Sequence, residues 1–380
     1  MKNMVDWSQT PHELLGLIAE RINSIEDYVR FGAVCRSWRL VTLDQRRRNF
    51  SPKTLPWLMF PLCEDADEDG KCFENPDFFN LSVDKYYQLN LPEARDCCLT
   101  GSPYGWLILL CTGRVEIYNP LTRVRIPLPQ PFKDKSHGFY NIVRLFMPYP
   151  PSSTINQFIL VVDTTEGLSF IKAGDLVWTT IENEVVDNTG VLHNTDMLHL
   201  NNEIYIVDSE GLIKRFDITS PNPVATEFML PPEDIKYEGY TFYLVELLGE
   251  MHMVVKYDAF DMLAESHHFA IGSRVFDDDH TYYFRVFKLD LSTKKWEEVF
   301  TLGDYTLFVG QTSSFSIQSS DFEHCSRGCI YFTDTLNGGW HATGDIGIFD
   351  LETEGMEVLF TGEEDINLYS CPAWFTPSLC

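Results

Sequence analysis

The sequence predicts a small all-α unit over residues 5–48, a linker over 49–77, and an all-β propeller of about six blades over 78–380. Three observations carry this. Between residues 10 and 39, apolar side chains recur at helical spacing behind cap signals. From about Phe78 onward, short β-rich runs alternate with Gly, Pro, Asn and Asp. A degenerate strand–turn–strand repeat returns at multiples or stretched versions of about 40–60 residues, the scale of one four-stranded blade.

Thr10-Pro11-His12-Glu13 opens the first helix: Thr10 can cap it, Pro11 suits the first helical position, and Glu13 can reach back to the cap. Leu14, Leu15, Ile18 and Ile22 then form an apolar stripe. Ser24-Ile25-Glu26-Asp27 is a second cap signal, with Tyr28, Val29 and Phe31 behind it, and Val34-Cys35-Arg36-Ser37-Trp38-Arg39 is the third helix. A unit of about 40 residues is too small for a self-sufficient core without a disulfide, metal or partner. It holds one cysteine and no ligand cluster, so a partner is expected to cover its apolar surface.

Pro52, Pro56 and Pro61 interrupt any continuing helix, and Glu64-Asp65-Ala66-Asp67-Glu68-Asp69-Gly70 reads as an exposed acidic loop. Runs such as Val115-Glu116-Ile117-Tyr118, Phe158-Ile159-Leu160-Val161-Val162 and Cys329-Ile330-Tyr331-Phe332 read as strands, and no long helical pattern interrupts them. The repeat lies around Asn119-Pro120-Leu121-Thr122, Asp217-Ile218-Thr219, Asp290-Leu291-Ser292-Thr293 and Asp350-Leu351-Glu352-Thr353. In each, an Asn or Asp side chain can hold a tight turn by bonding nearby backbone. Gly174-Asp175-Leu176-Val177-Trp178 is an eroded copy. Five or seven blades fit the same spacing, and a pair of β-sandwiches is the competing architecture.

The formal charge is -27; residues 1–50 hold eight Lys/Arg against six Asp/Glu, a net of +2, which leaves -29 on residues 51–380. Such a field repels phosphate backbones and disfavours direct nucleic-acid binding. No secretory signal is visible, and the longest apolar runs, such as Trp106-Leu107-Ile108-Leu109-Leu110-Cys111, are too short to span a bilayer. The chain is expected to be soluble, away from membranes, in the nucleus and/or cytoplasm. Ten scattered cysteines fit a reducing compartment better than a disulfide framework.

Catalytic and metal chemistry is weakly represented. Asp65-Ala66-Asp67-Glu68-Asp69-Gly70 imitates a calcium loop, but the closing position is Pro76 instead of Glu. Cys325 and Cys329 lack a second ligand pair. His267-His268 and Asp277-Asp278-Asp279-His280 read as a solvated inter-strand loop, Arg46-Arg47-Arg48 as a solvated face, and Asn80-Leu81-Ser82 as chance glycosylation spacing. No nucleophile elbow, phosphate-cradling loop or zinc-protease motif is present. No cofactor, metal or catalytic residue is expected.

Thr10-Pro11-His12-Glu13-Leu14-Leu15, Ile18, Ile22 and Val34-Cys35-Arg36-Ser37-Trp38-Arg39 resemble an F-box, whose usual pattern is Leu-Pro-x-Glu-Leu-Leu, spaced Ile/Leu, then Val-Cys-Arg-x-Trp-Arg. Thr10 departs from it, and the lead-in Asp6-Trp7-Ser8 is similar to a plant subgroup. Gly101-Ser102-Pro103-Tyr104-Gly105-Trp106-Leu107, Ile126-Pro127-Leu128-Pro129, Leu307-Phe308-Val309-Gly310 and Trp374-Phe375-Thr376-Pro377 resemble the KIB-type β-propeller of plant F-box proteins. Trp106 and Phe349 are expected to pack between sheets, Gly101 and Gly105 to permit close backbone approach, and Trp374 to seal the last blade against the first. The resemblance implies a non-catalytic substrate receptor of an Skp–cullin–F-box ubiquitin ligase. Its helices would dock an Skp-type adaptor, and through it cullin and RING subunits, while the propeller presents an unknown target protein. Pro11, Leu14, Leu15, Ile18, Val34, Cys35 and Trp38 are then the adaptor-facing or supporting set. Two other classes are an F-box-bearing regulator that sequesters a partner outside a ligase, and a propeller enzyme such as a glycan hydrolase.

Overall fold

The computed structural model describes residues 6–47, 53–60, 77–94, 97–111, 114–129, 142–151, 158–164, 167–183, 194–220, 222–235, 240–258, 282–310, 312–333, 346–360 and 372–379. The acidic loop at 64–70, His267-His268 and the 277–280 cluster lie outside the described residues.

Among the described residues, six sheets form six blades, the middle of the five to seven that the repeat spacing allows. From the inner to the outer edge, blade 1 is Ala373–Phe375, Trp57–Phe60, Asp77–Asn80 and Lys85–Gln88. Blade 2 is Cys97–Gly101, Leu107–Cys111, Arg114–Tyr118 and Arg125–Leu128; blade 3 is Ile142–Phe146, Ile159–Thr164, Gly167–Lys172 and Thr179–Thr180. Blade 4 is Asn194–Leu200, Glu203–Asp208, Ile213–Asp217 and Val224–Met229, with Glu182–Asn183 added in parallel outside. Blade 5 is Thr241–Leu247, Glu250–Asp258, Tyr282–Asp290 and Lys295–Val299. Blade 6 has five strands: Phe315–Gln318, Tyr305–Val309, Cys329–Thr333, Ile346–Asp350 and Met356–Phe360. In it Tyr305–Val309 and Cys329–Thr333 run parallel.

The strand sequences follow from this packing. Leu107–Cys111, Ile159–Thr164 and Cys329–Thr333 are buried along their whole length, because a middle strand has a neighbouring blade on each face. Outer strands such as Lys295–Val299 alternate toward solvent. Trp106 packs with Leu145, Phe158 and Leu160 between blades 2 and 3, and Phe349 lies 5.3 Å from Phe284 between blades 5 and 6. Both meet the inter-sheet expectation.

The repeat is a side-chain-held turn between the third and fourth strands of blades 1, 2, 4 and 5, and between the fourth and fifth of blade 6. Asn119 Oδ1 accepts from the amides of Leu121 and Thr122; Asp217 accepts from Thr219, Asp290 from Ser292 and Thr293, and Asp350 from Glu352 and Thr353. The Asp350 carboxyl is held below its usual range, chiefly by the Thr353 amide. Asn80 makes the same bond to the Ser82 amide in blade 1. The glycosylation-like triplet is therefore another copy of the turn. At Asp175 the pattern reverses, its carboxylate accepting from the Lys172 amide behind it.

The stretch read as a linker needs correction. Trp57–Phe60 is a buried strand of blade 1, paired with Asp77–Asn80 on one side and with the C-terminal Ala373–Phe375 on the other. The propeller therefore begins before Phe78, and strands from the two ends of the chain close it. Trp374, fully buried, crosses to blade 6: its indole N–H donates to Val309 O at 2.9 Å and its ring meets Phe308 edge-on at 5.0 Å. Gly105 makes room for this segment, since a Cβ there would fall 2.5 Å from the Cβ of Ser378. The closure pairs both edges of Trp57–Phe60, while each blade keeps one short outer edge.

Two further features were not legible in the sequence. Cys97 and Cys111, directly opposed on the first hairpin of blade 2, form a disulfide, a single pairing that the irregular cysteine spacing did not signal. Near the axis, Arg144 of blade 3 pairs with Asp196 of blade 4 at 2.8 Å, both buried. Asp196 also accepts from the amides of Met197 and of Leu244 in blade 5, so one carboxylate ties three blades. Burial pushes its pKa up and the Arg144 guanidinium opposes that shift.

Candidate docking surface on the N-terminal helices

Three helices precede the wheel: α1 is His12–Ala19, α2 is Ile25–Ala33 and α3 is Arg36–Arg47. Ser24 caps α2, its hydroxyl accepting from the Asp27 amide, as its position predicts. The cap expected from Thr10 is not made. Pro11 occupies the cap position, and the Thr10 hydroxyl instead donates to the carbonyl of Trp7 in a preceding 3-10 turn, Trp7–Gln9. The third helix starts two residues later than expected and extends to Arg47, because Val34 caps α2.

The unit has a dense interior. The Tyr28 hydroxyl donates to Gln45 Oε1 at 3.0 Å, and Gln45 Nε2 donates to Gly16 O at 2.9 Å, tying all three helices. Phe31 and Trp38 rings lie 4.3 Å apart, and the Trp38 N–H donates to Trp7 O at 3.1 Å. Ser37 donates to Ser8 O, and its hydroxyl lies 3.1 Å from Cys35 Sγ, which holds the Cys35 thiol below its usual pKa. The Asp6-Trp7-Ser8 lead-in is thus strapped onto the start of α3.

Part of the predicted stripe is covered by this chain itself, which corrects the expectation that a partner must cover it all. Leu15, Ala19, Ile25, Tyr28, Phe31 and Val41 belong to one buried cluster with Trp57, Met59, Phe78 and Leu91 of the propeller. Burial and the nearby Glu26 carboxylate push the blade 1 Tyr87 phenol up to about 12, a second contact between wheel and helices.

The other face is bare. Leu14 is 52% exposed, Ile18 43% and Val34 59%, and Leu17, Val29, Leu40 and Trp7 are exposed as well. Leu14, Leu17 and Ile18 stand three and four residues apart and share one stripe of α1. Of the seven residues read from the sequence, Pro11, Leu14, Ile18 and Val34 are exposed, Cys35 and Trp38 are half-buried supports, and Leu15 is core. Leu17 was missed although its i+3 spacing from Leu14 signalled it.

Among the described residues, no group of three or more His, Cys, Asp or Glu side chains could hold a metal. Burial pushes the Cys329 thiol up to about 11. No described helix is long and apolar enough to cross a membrane.

Three short helices seated on a closed six-blade wheel define a propeller protein with an N-terminal helical unit. Residues 78–350 match the model of the KIB1-4 beta-propeller, and the chain belongs to that family. Its relatives in Arabidopsis thaliana run almost end to end with it. F-box protein SKIP23 is 25% identical, with 98% of this chain and 96% of that protein covered. F-box protein At2g17036 is 24% identical over 99% and 96%, and F-box protein At2g26160 is 24% identical over 87% and 96%. Among solved structures, TolB from Acinetobacter baumannii aligns at a TM-score of 0.43 with 8% identity, over 89% of this chain and 72% of that one. So distant a likeness carries no argument.

Proposed function

We propose that this chain is the substrate-recognition subunit of an Skp–cullin–F-box ubiquitin ligase, its helices docked on an Skp-type adaptor and its propeller holding a target protein. The observation that carries the reading is the bare stripe of Leu14, Leu17 and Ile18, with Val34, on helices whose core is already completed by the propeller. Covering one such side chain contributes about 1.5–3 kcal/mol, so a few anchors suffice for a stable interface. The chain performs no bond chemistry. Its effect is proximity, raising the local concentration of target lysines near the charged ubiquitin carrier. The reading places it in the nucleus or cytoplasm, where adaptor, cullin and RING subunits are met.

The test is association. Tagged full-length chain, expressed in plant cells, is expected to bring down adaptor and cullin together. Adaptor recovered without cullin would overturn the ligase assignment and favour a sequestering regulator.

A further inference from the structure

Thr10 stands where the F-box pattern usually has Leu. One residue before the cap Pro11, this position is one half of a hydrophobic staple, whose other half would be Leu15. The chain gives up that apolar contact and gains a hydroxyl followed by proline. A proline drives the residue before it out of the helical region, so the pair is extended. Thr10 has φ -61° and ψ 133°, and Pro11 has φ -54° and ψ 142°, an extended step between the Trp7–Gln9 turn and α1. Asp6, Trp7, Ser8 and Gln9 before it are exposed, as are Pro11, His12, Glu13 and Leu14 after it, and Thr10 itself is half-buried.

A proline-directed protein kinase takes its acceptor as an extended strip and accommodates, directly after the hydroxyl, a residue without an N–H. The chain holds five Ser-Pro or Thr-Pro steps, and they are not equivalent. Ser102 is 1% exposed, its hydroxyl accepting from the amides of Tyr104 and Trp106. Thr376-Pro377 follows the ring-closing strand, and Phe375 and Pro377 on either side of the Thr are buried. Ser51, Pro52 and Pro221 lie outside the described residues. Among the steps that are described, only Thr10-Pro11 is exposed on both flanks.

We propose that Thr10 is the phosphorylation site of a proline-directed Ser/Thr kinase, and that its phosphate disables adaptor docking. Thr10 Oγ1 attacks the γ-phosphorus of ATP and the bond from that phosphorus to the β–γ bridging oxygen breaks. ADP leaves with the electron pair, and the hydroxyl proton passes to the kinase's catalytic Asp. The Trp7 carbonyl holds the lead-in on α3 by accepting from the Thr10 hydroxyl at 2.9 Å, the Thr10 amide at 3.3 Å and the Trp38 indole at 3.1 Å. Phosphorylation removes the first of these donors and sets phosphate oxygens against the carbonyl, so the lead-in is released. The phosphate also brings about two negative charges to the head of the stripe that starts at Leu14, and they must lose water when an adaptor covers it. The helix itself stays folded, because its N-terminus favours an anion. The inference rests on the receptor reading for its biological role and names a regulation of that same docking face.

The test incubates the purified full chain with ATP and a purified mitogen-activated protein kinase, and maps the product by mass spectrometry. Phosphate is expected on Thr10, and amide exchange at Gln9 and Thr10 should then speed up about tenfold or more. Titrated with a purified Skp-type adaptor, the phosphorylated chain should bind about tenfold or more weaker than the unmodified one. Phosphatase should restore the affinity. Kinase-treated Thr10→Ala should bind as untreated Thr10→Ala does, which separates Thr10 from any other acceptor. The proposal is overturned if Thr10 stays unmodified while a control Thr-Pro peptide is phosphorylated, or if exchange at Gln9 and Thr10 does not change. It is also overturned if the phosphorylated chain binds the adaptor as tightly as the unmodified one, or if treated Thr10→Ala loses affinity as the wild type does. Failure of the receptor reading shows separately: the unmodified chain then binds no adaptor, while site mapping and exchange at Gln9 and Thr10 still decide the modification.

Discussion

Leu14→Asp combined with Ile18→Asp is expected to abolish recovery of an Skp-type adaptor, while the melting temperature stays within about two degrees of wild type. Both side chains stand about half exposed on one stripe of α1, so the folded chain loses little when they change. The interface loses two anchors worth about 1.5–3 kcal/mol each, and it gains two carboxylates that must be desolvated. At 1.4 kcal/mol per tenfold, the anchors alone account for about a hundredfold or more in affinity. Titration of purified adaptor into wild type and variant measures it. The choice of pair matters. Leu15, adjacent in sequence, is fully buried among Tyr28, Phe31 and the blade 1 residues. An Asp there would unfold the helical unit and so could not report on docking; even Leu15→Ala should cost about 2–5 kcal/mol of stability.

The second large effect is expected at the ring closure. Trp374→Ala should lower stability by about 3–5 kcal/mol, a large share of the 5–15 kcal/mol that holds a typical domain. The indole is fully buried, donates to Val309 of blade 6, and lies against Phe308 and Tyr331. Its own strand meanwhile pairs with Trp57–Phe60 of blade 1. Losing it leaves a cavity at the seam where the chain ends meet. Trp374→Phe keeps most of the packing and should cost less. Denaturant unfolding followed by tryptophan fluorescence separates the three proteins. Equal midpoints for wild type and Trp374→Ala would mean that the seam contributes nothing.

What the sequence disclosed follows from what is local. The turns at Asn119, Asp217, Asp290 and Asp350 are made by one side chain bonding amides two or three residues on, so their chemistry is written within four residues. Ser24 capped α2 for the same reason. The closing strand was hidden because Trp57–Phe60 sits in a proline-broken stretch and its partner lies at the other end of the chain. The Cys97–Cys111 bond depends on hairpin register, and the Arg144–Asp196 pair on how blades stack. Neither leaves a trace in spacing. Within the docking set, helical period placed the apolar stripe, but the packing of α2, α3 and blades 1 and 2 around α1 decides that Leu15 is shielded and Leu14 is bare.

Amide hydrogen exchange on the full chain, with and without a saturating Skp-type adaptor, tests the central claim most directly. Helices bound on their bare face should gain protection in α1 and in the residues around the α2–α3 junction near Val34, with the blade strands unchanged. Protection confined to the propeller, or none anywhere, would contradict it.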